Sequence, residues 1–314
     1  MQTKPYLSVV IPIFNEEGNI TNLDREIKDS VKKITESFEI IYINDGSTDG
    51  SLNELKSLKS VTIINLNRNY GQTTAFDAGF KASQGEIVIS MDGDGQNDPN
   101  DFQLLLEKME KDNLDVVAGY RKNRKDKNGI RVLTRIGRLL RKALISDSVH
   151  DSGCSLRAYK KEAVKGLDIG GEMHRYILAL LRWKGFRIGE VVVNDRQRTH
   201  GKSKYNYTKA VRGTIDLIYI WFIHKYSQRP LHLFGYMSLT SFFFGFLSGF
   251  WTLYGKLFLG TSLNRNGWFF ITAFLMLAGI ILFSFGVAID LLIKIMFNTS
   301  SYEKRYHVRE IITT

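Results

Sequence analysis

Residues Glu86-Ile87-Val88-Ile89-Ser90-Met91-Asp92-Gly93-Asp94-Gly95-Gln96 decide the fold class. A short apolar run rich in β-branched residues reads as a buried strand, and this one stops on two acids separated by glycine. The same construction occurs three times upstream. Leu7 to Ile13 runs into Asn15-Glu16, Glu39 to Asn44 into Asp45-Gly46-Ser47-Thr48-Asp49, and Val61 to Leu66 into Asn67-Arg68-Asn69. Leu114 to Gly119 reads as a fifth strand. Glu17 to Glu36, Thr48 to Leu58, Thr73 to Ala82 and Pro99 to Lys111 are amphipathic and read as helices between them. Strand–helix alternation specifies an α/β fold, a mainly parallel sheet with helices on both faces. In such sheets ligands sit beyond the carboxyl ends of the strands, so four polar loops on one edge describe a single site.

Asp92 and Asp94 stand about 6 to 7 Å apart along the chain, with a permissive glycine between them. Mg2+ or Mn2+ takes this arrangement when one or two carboxylates are completed by phosphate oxygens and water. A lone Asp-x-Asp also occurs in ordinary turns. There is no Gly-x-Gly-x-x-Gly after the first strand and no Gly-x-x-x-x-Gly-Lys-Ser/Thr, which argues against a dinucleotide dehydrogenase and a P-loop enzyme.

The 314 residues are 44% hydrophobic and 24% charged, with a net charge of +11 that favours an anionic ligand or surface. The single cysteine, Cys154, forbids an intrachain disulfide and reads as packing. From Leu233 to Gly255, and again from Asn266 to Ile289, no charged residue appears. Each run is long enough to cross the ~30 Å of bilayer hydrocarbon. Lys225, Arg229, Lys294, Lys304, Arg305 and Arg309 flank this hairpin, against Lys256 and Arg265 in the loop between the spans. That bias, with no apolar signal region at the start, predicts a multi-pass protein of the cell's inner membrane with the large domain and both termini cytoplasmic. Gly245, Gly249, Gly279 and Gly286 allow close helix packing, within one chain or between copies.

Arg131, Arg135, Arg138 and Lys142 recur on one helical face, and Leu133, Ile136, Leu140 and Leu144 on another. This predicts a basic amphipathic helix suited to an anionic bilayer surface. A nucleic-acid patch would explain the charge but would leave the hairpin without a role.

Taken together and in order, Val9-Val10-Ile11-Pro12-Ile13-Phe14-Asn15-Glu16, Asn44-Asp45-Gly46-Ser47-Thr48-Asp49, Asn69-Tyr70-Gly71-Gln72 and Met91-Asp92-Gly93-Asp94-Gly95-Gln96 resemble a family 2 glycosyltransferase. A closer resemblance is to the polyprenyl-phosphate sugar synthases, of the dolichol-phosphate mannose synthase and bacterial undecaprenyl-phosphate glucosyltransferase type. It rests on Gly119-Tyr120-Arg121, the basic helix, Asp151-Ser152-Gly153-Cys154, His174-Arg175, Arg198-Thr199-His200-Gly201-Lys202-Ser203-Lys204-Tyr205 and the two spans.

The resemblance implies a GT-A fold, a nucleoside-diphosphate sugar donor, Mg2+ or Mn2+, and a polyprenyl-phosphate acceptor. By position, Pro12, Asn15, Glu16, Asp45, Gln72 and Asp92 would bind the nucleotide sugar, and Asp92, Asp94 and Gln96 the metal. Arg121, Arg135, Arg198, Lys202 and Lys204 would hold the acceptor phosphate. Asp94, Arg121, Arg135, Asp151 and Arg198 would serve the chemistry. Glu16 and Asp45 each also precede a predicted helix, where a carboxylate caps the first turn. Asp151 fits either an orienting acid or a turn cap. His174, on a helical stretch from Glu172 to Trp183, fits packing as well as catalysis.

The domain plan is a GT-A domain over 1–205, an amphipathic juxtamembrane helix and linker over 206–230, two spans within 231–297 (about 231–256 and 266–293), and a tail over 298–314. UDP-glucose with undecaprenyl phosphate is the leading substrate pair, and GDP-mannose the alternative. A processive polysaccharide synthase is a weaker reading, because alanine stands at Ala179 of Ala179-Leu180-Leu181-Arg182-Trp183, where such enzymes carry glutamine. A non-catalytic nucleotide-sugar scaffold would have no need of acceptor cations.

Overall fold

The computed structural model describes residues 4–122, 144, 149–167, 169–171, 173–196, 217–222, 225–226, 229–260, 262, 267–299 and 308–313. The basic stretch around Arg135, the segment carrying Arg198, Lys202 and Lys204, and residues 206–216 lie outside them. The chain forms two compact units, Met1–Leu217 with Lys304–Thr314, and Ile218–Glu303.

The first unit is built on an eight-stranded sheet of order β7-β5-β6-β4-β1-β2-β3-β8. Its strands are β1 (Leu7–Ile13), β2 (Phe38–Asn44), β3 (Thr62–Leu66), β4 (Ile87–Ser90), β5 (Val116–Tyr120), β6 (Arg157–Lys160), β7 (Ile188–Val192) and β8 (Val308–Thr313). Helices α1 (Ile20–Lys32), α2 (Ser51–Ser57), α3 (Gln72–Ala82) and α4 (Phe102–Lys111) connect the first five strands. The short α5 (Lys161–Val164) and α6 (Ile177–Trp183) follow β6.

Alternation along the strands explains why both faces are covered. Leu7, Val9, Ile11 and Ile13 join Ile40 and Tyr42 in one core, with Ile27 of α1, Leu55 of α2 and Leu105 of α4. Val10, Ile41 and Ile43 point the other way, into a core with Phe76 and Phe80 of α3 and Leu178 of α6. Each such side chain contributes about 1.5–3 kcal/mol by leaving water.

Pairs β1–β2, β1–β4 and β2–β3 are parallel, as the alternating pattern predicts. The fifth expected strand is present as β5, whereas β6, β7 and β8 were not anticipated. β6 runs antiparallel to both β4 and β5, and the two reversals leave β5 parallel to β4, with its end on the same edge. β7 pairs parallel with β5. β8 pairs antiparallel with β3, so part of the segment expected to be a plain tail completes the sheet. The helix expected from Glu172 begins as a 3-10 turn over Met173–Tyr176 and becomes α-helical only at Ile177.

The second unit contains two helices long and apolar enough to cross a membrane, α7 (Pro230–Phe258) and α8 (Gly267–Thr299). They pack on each other through small residues. A Cβ on Gly279 would press on the Phe242 ring, and one on Gly245 would meet Met276 Sδ at 3.1 Å. Ser238 Oγ donates to the Gly279 carbonyl (2.8 Å) and Ser241 Oγ to the Leu275 carbonyl (2.7 Å). Close backbone approach and interhelical hydroxyl bonds are how helices associate where no hydrophobic effect drives them together.

Candidate functional site

The carboxyl ends of β1, β2, β4 and β5 meet at one edge of the sheet. The loops after β1 and β2 are bonded to each other. Asn15, at a left-handed φ of 55°, accepts from the Thr48 N–H through Oδ1 (2.8 Å) and donates its own N–H to Ser47 Oγ (3.1 Å). The Glu16 N–H donates to Ser51 Oγ (2.8 Å), and its carboxylate accepts from Asn19 Nδ2 (2.9 Å).

Asp45 does not cap a helix. It is buried, and its two oxygens accept from the N–H groups of Tyr70 (2.7 Å) and Gly71 (2.9 Å), bracing the turn that opens α3. Burial pushes its carboxyl above the ordinary range, and these two bonds oppose that rise. Gly46 makes the approach feasible. Its φ is +65°, and a Cβ there would strike the backbone of Arg68 and Asn69.

The acidic pair lies beside the end of β1. A Cβ on Gly93 would strike the Ile13 side chain and come within 3.0 Å of the Pro12 carbonyl, so glycine lets the Asp92–Asp94 turn press against the end of β1. Asp92 Oδ1 accepts from Gln72 Nε2 (2.6 Å), and Asp94 Oδ1 from the backbone N–H of Gln96 (3.1 Å). Burial and then the charge of Asp94 raise the Asp92 carboxyl to about 6, against the favourable Ser155 hydroxyl and the cations Arg121 and Arg157. Among the described residues, no three His, Cys, Asp or Glu side chains converge as a metal cage. Two crowded carboxylates suit a divalent cation whose other ligands are phosphate and water.

Next to Asp92 opens a cavity of about 410 Å3, lined also by Gln72, Arg121, Asp151, Arg157 and His174. Arg121, just past β5, meets Asp151 in a fork, Nε to Oδ2 2.8 Å and Nη2 to Oδ1 3.2 Å. Asp195, not singled out by the sequence, lies 4.0 Å from Arg121 Nη1. The fork holds the guanidinium protonated and raises its pKa despite burial. Asp151 Oδ1 also accepts from the Gly153 N–H (3.2 Å), so the turn role and a place in the cavity coexist.

Arg157 is the main residue the sequence did not reveal. It opens β6 opposite Ser90, is buried, and donates to the carbonyls of Cys154 (2.7 Å), Ser152 (2.7 Å) and His174 (3.2 Å). It thereby ties the Asp151 loop to the His174 turn while its charge favours ionised Asp92. Nothing local marks it out in a chain with 43 lysines and arginines. His174 Nδ1 is 2.7 Å from the hydroxyl of the buried Thr73. Cys154 is fully buried, and burial pushes its thiol up to about 11, in keeping with a packing role.

Residues 8–167 match the profile of the family described as Glycosyl transferase family 2. Over 318 residues the chain is 31% identical to a dodecaprenyl-phosphate galacturonate synthase of Rhizobium johnstonii, covering 97% of this chain and 92% of that protein. It is also 31% identical over 319 residues to an undecaprenyl-phosphate 4-deoxy-4-formamido-L-arabinose transferase of Pseudomonas paraeruginosa, covering 98% and 92%. The fold resembles glucosyl-3-phosphoglycerate synthase from Mycobacterium tuberculosis, solved with Mn2+, UDP-glucose and phosphoglyceric acid. The TM-score is 0.55 at 18% identity, over 70% of this chain and 79% of that one.

Proposed function

The chain belongs to glycosyl transferase family 2, and from that premise we propose that it moves a sugar from a nucleoside diphosphate onto a polyprenyl phosphate at a membrane surface. One observation carries the reading: Asp92 and the Arg121–Asp151 fork line a single cavity at the edge where the β1 and β2 loops meet. An acidic group suited to a cation and a guanidinium suited to a phosphate face the same space.

In this reading Pro12, Asn15, Glu16, Asp45 and Gln72 form the donor side, and Asp92 and Asp94 hold Mg2+ or Mn2+ with Gln96 beside them. When bound, the metal neutralises charge on the departing diphosphate. Asp45 acts by holding the Tyr70–Gly71 turn, and Gln72 by orienting Asp92.

The acceptor phosphate is already ionised at neutral pH, its second pKa being near 6. Its oxygen can attack the anomeric carbon without an obligatory base, and direct attack inverts the configuration there. The protein's task is to bring two anions together, which needs cations placed in advance. Arg121 is one, presented by Asp151; Arg135, Arg198, Lys202 and Lys204 are the others. The two apolar helices anchor the enzyme in the bilayer, with the catalytic domain on the cytoplasmic side, where a lipid can offer its phosphate without leaving the membrane.

UDP-glucose and undecaprenyl phosphate are the leading pair. A second donor reading, a sugar other than glucose, is favoured by the names of the two relatives, which specify galacturonate and a formamido-arabinose. The test presents UDP- and GDP-sugars with polyprenyl phosphate and Mn2+ to the purified full-length chain, and identifies the lipid product by mass. One donor should yield a lipid-linked sugar with inverted linkage. Transfer only to water-soluble alcohols would overturn the acceptor assignment.

A further inference from the structure

Three polar side chains cross the sheet in a row near the donor loop. Asn44 ends β2, Asn65 lies beside it in parallel register on β3, and Glu310 faces Asn65 in antiparallel register on β8. Glu310 accepts from Asn65 Nδ2 (3.2 Å), Asn65 Oδ1 accepts from Asn44 Nδ2 (2.8 Å), and Asn44 Oδ1 accepts from the Ser47 N–H (3.3 Å). Both asparagines are buried.

The row has a direction, and only one end can set it. A carboxamide presents an acceptor on one side and a donor on the other, and either orientation fits its outline. An ionised carboxylate only accepts. Glu310 therefore fixes the amide of Asn65 with its NH2 outward, which fixes Asn44 the same way and leaves an oxygen facing Ser47. If either amide turned over, Asn44 could present its NH2 to the Ser47 N–H, donor against donor in a part-buried place.

We propose that Glu310 is a positioning residue for donor binding: through Asn65 and Asn44 it sets the conformation of the Asp45–Thr48 loop. The inference rests on the reading of that loop as the nucleotide site. It assigns a role in that site to a strand that follows both long apolar helices, more than 240 residues from the loop in sequence. The ion pair of Glu310 with Lys56 (3.2 Å) is a different matter, since those side chains are 41% and 44% exposed and such pairs contribute little.

The experiment uses the full-length chain in detergent with Glu310→Ala, Glu310→Gln and Lys56→Ala. It measures UDP and GDP affinity with Mn2+, kcat at saturating donor, and amide exchange across residues 44–51. Glu310→Ala should weaken binding of whichever nucleotide the wild type takes by about tenfold, or ~1.4 kcal/mol, leave kcat within about twofold, and speed exchange at Ser47. Glu310→Gln, which keeps an acceptor without enforcing its direction, should fall between Ala and wild type. Lys56→Ala should behave as wild type.

Equal losses in the Lys56 and Glu310 variants would overturn the proposal in favour of the surface ion pair. So would unchanged Ser47 exchange in Glu310→Ala. Faster exchange throughout β3 and β8 would reduce Glu310 to a strand-pairing role. If the wild type bound neither nucleotide, the donor-site reading would fall, while Ser47 exchange would still decide whether the row governs the loop.

Discussion

Arg121 and Asp151 form a two-pronged ion pair in the wall of the cavity, each side chain only 11% exposed. Asp151 holds the guanidinium in one orientation and also balances its charge, so under the proposed function an incoming phosphate would compete with a carboxylate already in place. Asp151→Asn should keep the shape and lower transfer by about tenfold through looser placement of Arg121. Arg121→Ala should cost about 100-fold or more, the scale seen when one preorganised charge-stabilising group is lost. Because the acceptor needs no base, initial rates of Asp151→Asn between pH 6.5 and 8.5 should follow the wild-type profile. Loss of an ionisation from that profile would make Asp151 a base.

Asp94→Asn should abolish transfer, by at least about 100-fold, if the pair holds the metal that stabilises the leaving diphosphate. Membrane insertion should be intact, since the hairpin packs through its own small residues and hydroxyls. Radiolabelled transfer and Mn2+ binding followed by electron paramagnetic resonance report the two effects. Unchanged turnover would dismiss the metal assignment, as would full activity in excess chelator.

The metal response should depend on pH. The Asp92 carboxyl stands at about 6 in the folded metal-free chain, against 3.8 as its ordinary value. A raised carboxyl contributes stability below about pH 4 and loses it as pH rises through about 6. The carboxylate needed by a cation is therefore scarce at pH 5 and present at pH 7.5. Saturating Mn2+ should raise Tm by several degrees at pH 7.5 and much less at pH 5. Equal shifts at both values would mean that Asp92 does not bind the metal.

Gly46→Ala should lower stability by about 2 kcal/mol, the scale of a residue forced into the left-handed region, and weaken nucleotide binding. The added methyl has nowhere to go but the backbone of Arg68 and Asn69. Thermal melts and UDP titration together distinguish a local fault in this loop from general unfolding.

What the sequence disclosed follows from how local each signal is. β1, seven residues buried throughout except at the half-buried Pro12, was legible end to end as Leu7–Ile13. The acids at Asp92 and Asp94 stood out because an apolar run stops on them. β6 was not legible: Arg157-Ala158-Tyr159-Lys160 is short and begins and ends on cations. β8 is a strand because β3 leaves an edge to be paired, which no local pattern shows. The site divides the same way. Asp45 could be picked out, but its role as a brace for Tyr70 and Gly71 depends on a turn 25 residues away. Arg157 owes its position to β6, so it was missed along with that strand.

The pairing of β8 with β3 makes the two long helices an insertion within one sheet rather than an appendage to it. Such threading has parity. Two bilayer crossings return the chain to the compartment it left, and the last strand can zip into place. A single crossing would strand it across the bilayer and leave the edge of β3 bare, a row of unsatisfied backbone groups open to misassembly. Pairing of β8 with β3 is thus compatible only with an even number of crossings between β7 and β8.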